Sequence, residues 1–579
     1  MKTYLLKLSQ KYSRYERLIA LGMLVIVAFL YYRDSFNYWF IADDALAIFS
    51  STSSLKDILF TRIYSSIFYT PLVPLSFKPD AVLFGITPLP YHIHNTMVLV
   101  LISFTVYKIL RLYADRISSL LPAFIILLST SSLVCLLWIT LRQYLYAMLF
   151  SLLAIYLFLR YKPDLKNTPL IVLMILILSE LSFMGKEQYM TLPFVLFVLS
   201  GDGFKQRVIR TYPYFIMLAG HLLLRLYVLE GLGGYPGIAY NPVVYAKTAY
   251  ESMFTESKAL FGYGWFLIFL ALPLLLRPKK LLLSILIWLA SLLISFVVMH
   301  SYPQLDTYRY WLIATVLFSF MIGFNANSIR KVPLKATYCF MIAVFFMVHS
   351  LQTNKDIRAF FKKEALMGKQ VTELIINGKY HDKLVLLPES ERNWLVTTNY
   401  IENISKAYYE IEGIKSSPPT FFPMELLSFY PEIMRGFDGI YEIKDDKVFN
   451  IADSMNEKIN FFKNILSSEK PEIGLLKRNN EIEMTLKCRN ATEIIAFHIR
   501  TIAERQYGVK YDVAYLERIN LTVFGAREAE LLPLEKLFYH DKKWYLEEKP
   551  IPRDVSFITL TCLDDKGKYT PLSDIISFK

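Results

Sequence analysis

Apolar runs long enough to cross a lipid bilayer follow one another from residue 17 to about residue 351, and short polar segments join them. Hydrophobic residues make up 54% of the chain. A water-soluble protein could not expose so many such runs, so the sequence predicts a polytopic α-helical membrane domain over residues 1–351. We place about eleven spans, with ends good to several residues. They lie near residues 17–33, 94–113, 119–138, 143–160, 168–184, 188–201, 212–229, 259–277, 281–300, 309–326 and 335–351.

Lys and Arg collect at every second join, at residues 2–17, 108–116, 160–166, 205–210, 277–280 and 330–335. These joins are expected in the cytoplasm because positive charge is retained there during insertion. The loop 34–93, the loop 230–258 and the chain after residue 352 would then face outward. We expect a multi-pass integral membrane protein of the bacterial inner membrane, with its two termini on opposite sides.

The chain changes character after residue 352, where charged residues become frequent and apolar runs shorten to strand length. Residues 352–579 are predicted to form a soluble extracytoplasmic α+β domain, β-rich in its second half and entered through a helix near 355–378. Strands are predicted at 383–387, 481–487, 493–499 and 555–561, and a hairpin at 539–544. Cys488 and Cys562 both fall on strand-like segments and could pair, while Cys135 and Cys339 lie in spans, where a thiol is expected.

The sequence lacks the motifs that several classes of protein function require. No CxxC, HExxH, GxGxxG or Walker spacing occurs, so the sequence predicts neither a metal cluster nor a nucleotide site. The net charge of +13 follows in part from the basic cytoplasmic joins, so no nucleic-acid partner is expected.

Asp43 and Asp44 stand side by side at the start of the first outward loop. Adjacent carboxylates repel each other and contribute nothing to membrane insertion, which points to chemistry. The alternative interpretation is a helix cap, since Asp is a good N-cap residue.

Short motifs in a fixed order give the first 350 residues a resemblance to a known enzyme class. They are Asp43-Asp44, Phe68-Tyr-Thr-Pro-Leu72, Leu83-Phe-Gly85, His92 with Asn95, Leu141-Arg-Gln143 and Gly185-Lys-Glu187. This order resembles the GT-C class of membrane glycosyltransferases, and most closely the branch related to protein O-mannosyltransferases. Thr70 stands where family members often have Arg, and Leu141-Arg-Gln143 stands where they usually have Gly-Arg-x-Asp.

The resemblance implies an enzyme that moves a sugar from a polyprenyl-phosphate carrier to an acceptor hydroxyl on the outer face, with inversion at the anomeric carbon. Asp43 or Asp44 would remove the hydroxyl proton. The second carboxylate would orient the acceptor, bind a divalent cation or raise the pKa of the first. Besides membrane lipids, the partners would be the lipid-linked donor and a glycan, lipid or protein acceptor.

The leaving lipid phosphate needs cations where water is scarce. Arg142, Lys186, Arg225 and Arg309 are candidates, since the predicted topology places each at or just below the outward surface. Arg225 lies within a predicted span, where an uncompensated charge is costly and a partner or ligand is expected. The alternative is a side chain that reaches the outer headgroups.

Four further residues are candidate substrate-binding groups, each with a structural alternative. His92 and Asn95 share one helical face, where they would bind sugar hydroxyls or form a polar helix start. Glu187 would contact substrate or form an interfacial ion pair with Lys186. Tyr308 would contact substrate or belong to an aromatic belt. A transporter, flippase or polymerase for lipid-linked saccharides is the competing function. A transporter or flippase would have charges near the bilayer midplane and inverted repeats, whereas the polar candidates here are expected at one face and the first half does not recur in the second.

Overall fold

The structure is a computed structural model that describes residues 2–65, 68–201, 203–231 and 308–377 and, beyond these, 383–387, 398–414, 420–423, 439–444, 447–451, 457, 472–478, 481–487, 491–504, 509–520, 555–564 and 576–577. The spans predicted near 259–277 and 281–300, Cys488 and the hairpin 539–544 lie outside these residues. Two compact units divide the chain: residues 1–40 with 50–362, and residues 41–49 with 363–579.

The described part of the chain is mostly helical. In chain order its helices are α1 Lys2–Tyr32, α2 Asp44–Ser51, α3 Leu55–Phe60, α4 Leu72–Phe84, α5 Pro88–Leu110, α6 Arg116–Leu128, α7 Thr130–Leu137, α8 Arg142–Tyr161, α9 Pro169–Phe183, α10 Leu192–Leu199, α11 Phe204–Leu229, α12 Leu312–Ser328, α13 Val332–Asn377 and α14 Thr398–Glu412. Short 3-10 helices at Arg33–Asn37, Ile139–Leu141, Glu187–Thr191 and Tyr308–Trp311 precede or follow several of them.

Six described helices are long and apolar enough to cross a membrane, judged by length and composition: Tyr15–Asn37, Pro88–Leu110, Ile139–Tyr161, Phe204–Leu229, Tyr308–Ser328 and Val332–Ile376. The bent pair α6 and α7 adds a seventh if it counts as one span. The chain is thus a multi-pass membrane protein. The spans predicted at 168–184 and 188–201 coincide with the shorter apolar helices Pro169–Phe183 and Glu187–Leu199, so the count of about eleven stays a prediction.

The bend of 47° between α6 and α7 has a local cause at Ser129. This residue has extended backbone angles (φ −69°, ψ 150°), and its hydroxyl accepts a hydrogen bond from the backbone N–H of Ser132. Ser129 therefore ends one helix and caps the next, because a side-chain acceptor satisfies a backbone donor at the new helix start. In the first turn of α7, the hydroxyls of Ser131 and Thr315 lie 2.9 Å apart and join α7 to α12.

Ionic contacts gather several helix ends at one end of the first unit. Glu16 on α1 accepts from Arg111 (2.9 Å) and from Arg116 (2.7 Å), and Lys335 on α13 pairs with Asp115. The beginning of α1, the α5–α6 join and the α12–α13 join thus lie together. These are joins that the distribution of Lys and Arg predicts to be cytoplasmic.

Other polar contacts define the opposite end, which we call the site end. The hydroxyl of Tyr32 donates to the carbonyl of Leu127 (2.5 Å), and Asn354 donates to the hydroxyl of Tyr31 (2.8 Å). The last turn of α1, the last turn of α6 and the middle of α13 therefore meet here. Because α5 and α12 each run toward the ionic end, their first turns lie toward the site end.

The strands described in the second unit form two sheets. They are β1 Lys383–Leu387, β2 Thr420–Pro423, β3 Gly439–Lys444, β4 Lys447–Asn450, β5 Glu472–Arg478, β6 Glu481–Lys487, β7 Ala491–Glu504, β8 Val509–Asn520, β9 Val555–Asp564 and β10 Ile576–Ser577. The larger sheet has the order β10-β9-β7-β8-β2-β1-β3-β4, with β1 parallel to β2 and β3 and β7 antiparallel to β8. β5 and β6 pair separately. The strand predictions at 383–387, 481–487, 493–499 and 555–561 are confirmed by β1, β6, β7 and β9.

Gly323 generates a prediction about helix packing. A Cβ at this position would lie 2.7 Å from Cγ of Pro122 and 3.0 Å from the carbonyl oxygen of Ser118, so α12 approaches α6 too closely for a side chain. Gly323→Ala should therefore lower the free energy of unfolding by about 1–3 kcal/mol, the usual cost of overpacking. Thermal unfolding in mild detergent measures it.

Gly22→Ala is the matched control, because a Cβ at Gly22 would meet nothing within 4 Å and Ala is the better helix former. Equal melting temperatures for the two variants would contradict close packing at Gly323.

Candidate functional site

Arg142, at the start of α8 and the site end, has no exposed surface. Its Nε donates to Oδ1 of Asn95 (2.8 Å) and its Nη1 to Oδ2 of Asp80 (2.6 Å). The guanidinium also donates to the backbone carbonyls of Ser76 (2.9 Å) and Tyr91 (3.2 Å). It thus links the start of α8 to both α4 and α5. The guanidinium of Arg142 is thus hydrogen-bonded to groups of the protein itself. Its role as a phosphate ligand stays a prediction.

A chain of hydrogen bonds runs from Arg142 through Asp80 to His94 and Tyr146. Both its carboxylate oxygens lie 2.9 Å from Nδ1 of His94, and Nε2 of His94 contacts the hydroxyl of Tyr146. Burial alone would raise the pKa of Asp80, but the hydrogen bond from His94 and the charge of Arg142 lower it below its usual value. An ionised Asp80 can only accept, so Nδ1 of His94 is the donor in this hydrogen bond.

Lys186, Glu187 and Arg225 form an ionic cluster near the 3-10 helix Glu187–Thr191, which follows α9. Oε1 of Glu187 lies 2.8 Å from Nη1 of Arg225, and Oε2 lies 3.4 Å from Nζ of Lys186. Both cations are buried, each with 8% of its surface exposed. Burial alone would raise the pKa of Glu187, but the adjacent Lys186 and Arg225 lower it. The expectation that Arg225 has a partner is confirmed, and Glu187 is a member of an ion pair as the structural alternative proposed.

Gly185 explains how the chain can place Lys186 so deeply. A Cβ there would lie 2.8 Å from Cβ of Ala147 and 2.9 Å from the carbonyl oxygen of Gln143, so only glycine fits against α8. The first outward loop approaches from the other side, because the backbone N–H of Leu72 donates to the carbonyl of Met184 (3.3 Å). Nζ of Lys186 then lies 4.1 Å from the ring centre of Phe68.

Tyr144 joins this cluster to Arg309. Its buried ring lies 5.7 Å from Nζ of Lys186 and 5.9 Å from Cζ of Arg309, both within range of a cation–π contact. Arg309 also lies over the rings of Trp138 (5.4 Å) and Tyr310 (4.9 Å) and donates to the Tyr310 hydroxyl (3.1 Å). Three predicted phosphate ligands, Lys186, Arg225 and Arg309, are therefore brought together; we call them, with Glu187 and Tyr144, the cationic cluster.

The other candidates of the first unit take mainly internal partners. His92 is buried and its Nε2 lies 3.0 Å from the carbonyl of Tyr38, while Asn95 donates to the carbonyl of Ile139 (3.1 Å) and accepts from Arg142. Neither side chain caps the first backbone donors of α5; both link α5 to other segments. Tyr308 is buried in the turn Tyr308–Trp311 that carries Arg309. Roles in substrate binding stay predictions for all three.

Asp43 and Asp44 belong to the second unit and differ in environment. Asp44 is fully buried, and its Oδ2 accepts from the backbone N–H of Ile41 (3.0 Å). Asp43 is half-buried, and its backbone carbonyl accepts from the N–H of Ala47 (2.9 Å) at the start of α2. Ala42, just before the pair, has a φ of 46°, a left-handed conformation that costs a non-glycine residue about 1 kcal/mol or more. The backbone at the pair therefore forms a tight turn, and the Asp44 carboxylate is fixed within it.

Within the described part of the chain, no group of three or more His, Cys, Asp and Glu side chains could hold a metal ion. A divalent cation at Asp43 and Asp44 would need ligands besides these two. Removal of a hydroxyl proton by a carboxylate does not itself require a divalent cation.

Sequence reasoning missed Asp80, His94, Tyr144, Tyr146 and Trp138. Asp80 and His94 carried a usable signal, because each is an ionisable residue in a largely apolar segment. The three aromatic residues carried none, since aromatic side chains are common at membrane interfaces.

Comparisons with known proteins give only distant likenesses. No protein-family model and no curated protein matches the chain. The chain is similar to the archaeal oligosaccharyltransferase AglB from Archaeoglobus fulgidus in complex with an inhibitory peptide and a dolichol-phosphate, with 10% identity, 74% of this chain and 70% of that chain covered, and a TM-score of 0.45. It is also similar to the Archaeoglobus fulgidus oligosaccharyltransferase tethered with an acceptor peptide containing the NVT sequon via a disulfide bond, with 10% identity, 98% of both chains covered, and a TM-score of 0.41. At such values the function of this chain rests on its own residues.

The Asp80–Arg142 pair generates a stability prediction. Asp80→Asn removes the carboxylate that faces a fully buried guanidinium, so it should lower the free energy of unfolding by about 3–5 kcal/mol. Asp34→Asn is the control, since Asp34 forms an exposed pair with Arg33 and such pairs contribute about 1 kcal/mol or less. Chemical unfolding in detergent measures both, and a loss for Asp80→Asn no larger than that of the control would contradict the buried role of the pair.

Proposed function

We propose that this protein is a GT-C-like membrane glycosyltransferase that moves a sugar from a polyprenyl-phosphate carrier to an acceptor hydroxyl on the outer face of the membrane. Its site end is the outward end of the helices. The motif order of the first 350 residues supports this proposal, as does the distribution of Lys and Arg among the joins.

The observation that carries the proposal is the cationic cluster. Lys186, Arg225 and Arg309 come from three separate segments, yet all three are at least nine-tenths buried and converge at the end of the helices. Burying long cations is costly without an anion nearby, and in the described contacts one carboxylate, Glu187, lies between two of the three. A lipid phosphate is a fitting ligand, because its headgroup sits at membrane depth and two of the three cations are guanidinium groups able to bind phosphate with two parallel hydrogen bonds.

The cluster is also suited to the chemical step. When the sugar leaves its carrier, negative charge develops on the phosphate oxygens, and fixed cations in a water-poor site stabilise that charge strongly. Glu187 lies between Lys186 and Arg225, so it keeps both side chains in place before a ligand arrives. We assign Glu187 a positioning role in place of direct substrate binding.

Asp43 is the proposed catalytic base. It is half-buried, whereas Asp44 is fully buried and already accepts a backbone hydrogen bond. A base must reach the acceptor hydroxyl and accept its proton as the new glycosidic bond forms, with the carrier phosphate departing. Asp44 would hold the turn, and the soluble extracytoplasmic α+β domain after residue 351 would bind or position a glycan, lipid or protein acceptor.

The phosphate-binding role yields a binding prediction. Arg225→Lys and Arg309→Lys keep the charge but lose the planar fork, so each should weaken binding of a polyprenyl-phosphate sugar by about tenfold, the value of one charge-assisted hydrogen bond. Equilibrium binding in nanodiscs measures this. Arg116→Lys, at the ionic end with Glu16, is the matched control and should bind as the parent does. Unchanged affinity in both test variants would sink the assignment.

The base generates a kinetic prediction. Asp43→Asn should lower the transfer rate by about 10²–10⁴ while donor affinity stays the same, because the amide cannot accept the proton. Asp34 is an exposed carboxylate at the start of the same outward loop, so Asp34→Asn should keep the parental rate. Full transfer activity in a well-expressed Asp43→Asn protein would show that the base is another group.

A further inference from the structure

Trp138 lies at the junction between α7 and the 3-10 helix Ile139–Leu141, beside the cationic cluster. Its backbone N–H donates to the carbonyl of Val134 (3.1 Å), and its carbonyl accepts from the N–H of Leu141 (3.0 Å). The side chain is 8% exposed. Backbone and ring are therefore fixed, and the indole cannot turn to water without displacing its neighbours.

The indole Nε1–H of Trp138 is buried and has no hydrogen-bond acceptor among the residues the structure describes. More than nine in ten buried polar groups in proteins have a partner, because an unmet buried donor costs about 1–3 kcal/mol. A tryptophan retained at such a cost, where a phenylalanine would pack without it, indicates that the donor is used in another state of the protein.

The neighbourhood indicates the chemistry of the missing acceptor. The guanidinium carbon of Arg309 lies 5.4 Å from the Trp138 ring, and Tyr310 fixes that guanidinium by accepting from its Nη2. Indole N–H is a donor only, and a guanidinium offers donors only. A ligand that meets both must present acceptor oxygens with negative charge, which describes a phosphoryl group better than a sugar hydroxyl.

We propose that Trp138 is a ligand of the carrier phosphate, its Nε1–H donating a hydrogen bond to a phosphoryl oxygen beside Arg309. This proposal rests on the proposed function and adds a neutral donor to its cations. A neutral N–H needs no counter-charge in the ligand-free protein, and its orientation is fixed before the ligand binds, so little reorganisation is required.

Trp138→Phe separates ligand binding from packing. The variant keeps an aromatic ring near Arg309 but lacks the N–H, so the ligand-free protein should melt at the parental temperature or above it. Binding of polyprenyl phosphate in nanodiscs should weaken about tenfold or more, the value of a hydrogen bond to a charged group. Binding of the uncharged polyprenol of equal length should not change.

Tyr214→Phe is the matched control. The Tyr214 hydroxyl is also buried without an acceptor among the described residues, but it lies eleven residues before Arg225 on α11, roughly 16 Å along the helix. Its loss should leave the melting temperature equal or higher and should not alter binding of polyprenyl phosphate.

The outcomes distinguish the two proposals. If the parent binds polyprenyl phosphate more tightly than polyprenol and Trp138→Phe binds it equally well, the role of Trp138 is refuted while the proposed function stands. A lower melting temperature with equal losses for both lipids would show a packing role and would also refute it. If the parent does not distinguish the two lipids, both proposals fail. If inorganic phosphate binds as tightly as polyprenyl phosphate, the ligand is not the carrier.

Discussion

The buried guanidinium of Arg142 is the interaction on which the site end depends. A charge with no exposed surface is tolerated only when its donors are met, and Asp80, Asn95 and two backbone carbonyls meet them. In doing so they fix the start of α8 against α4 and α5. Tyr144 follows Arg142 by two residues, so the ring that carries Lys186 and Arg309 takes its position from this network.

Close packing completes what the network begins. Gly185 lets the chain after α9 touch α8, which places Lys186 on the Tyr144 ring, and Glu187 then connects Lys186 to Arg225 on α11. In the proposed enzyme, the cations are thus arranged by helix contacts before any ligand binds. Such preorganisation is what makes electrostatic stabilisation effective, because no reorganisation is required during the reaction.

Part of this arrangement could be predicted from the sequence. The need for a partner at Arg225 follows from the cost of a charge within an apolar helix, and the structure supplies Glu187. Short motifs also identified the segments that carry Lys186 and Arg142. The contacts themselves could not be predicted: Arg142 pairs with Asp80 across helices, and no periodic pattern encodes which cation turns inward to a carboxylate and which faces a ligand. The separate environments of Asp43 and Asp44 likewise depend on the turn at Ala42. Its left-handed conformation could not be predicted, because alanine gives no sequence indication of a positive φ.

In the proposed enzyme, the site end acts on a sugar bound to a lipid phosphate. The most direct measurement incubates the purified protein in nanodiscs with polyprenyl phosphate carrying a radiolabelled sugar, and follows release or transfer of the label with time. We expect protein-dependent loss of the sugar from its carrier, inhibited by polyprenyl phosphate and not by polyprenol. Absence of any loss across the sugar donors tried, from protein that remains folded and monodisperse, or equal inhibition by the two lipids, would contradict it.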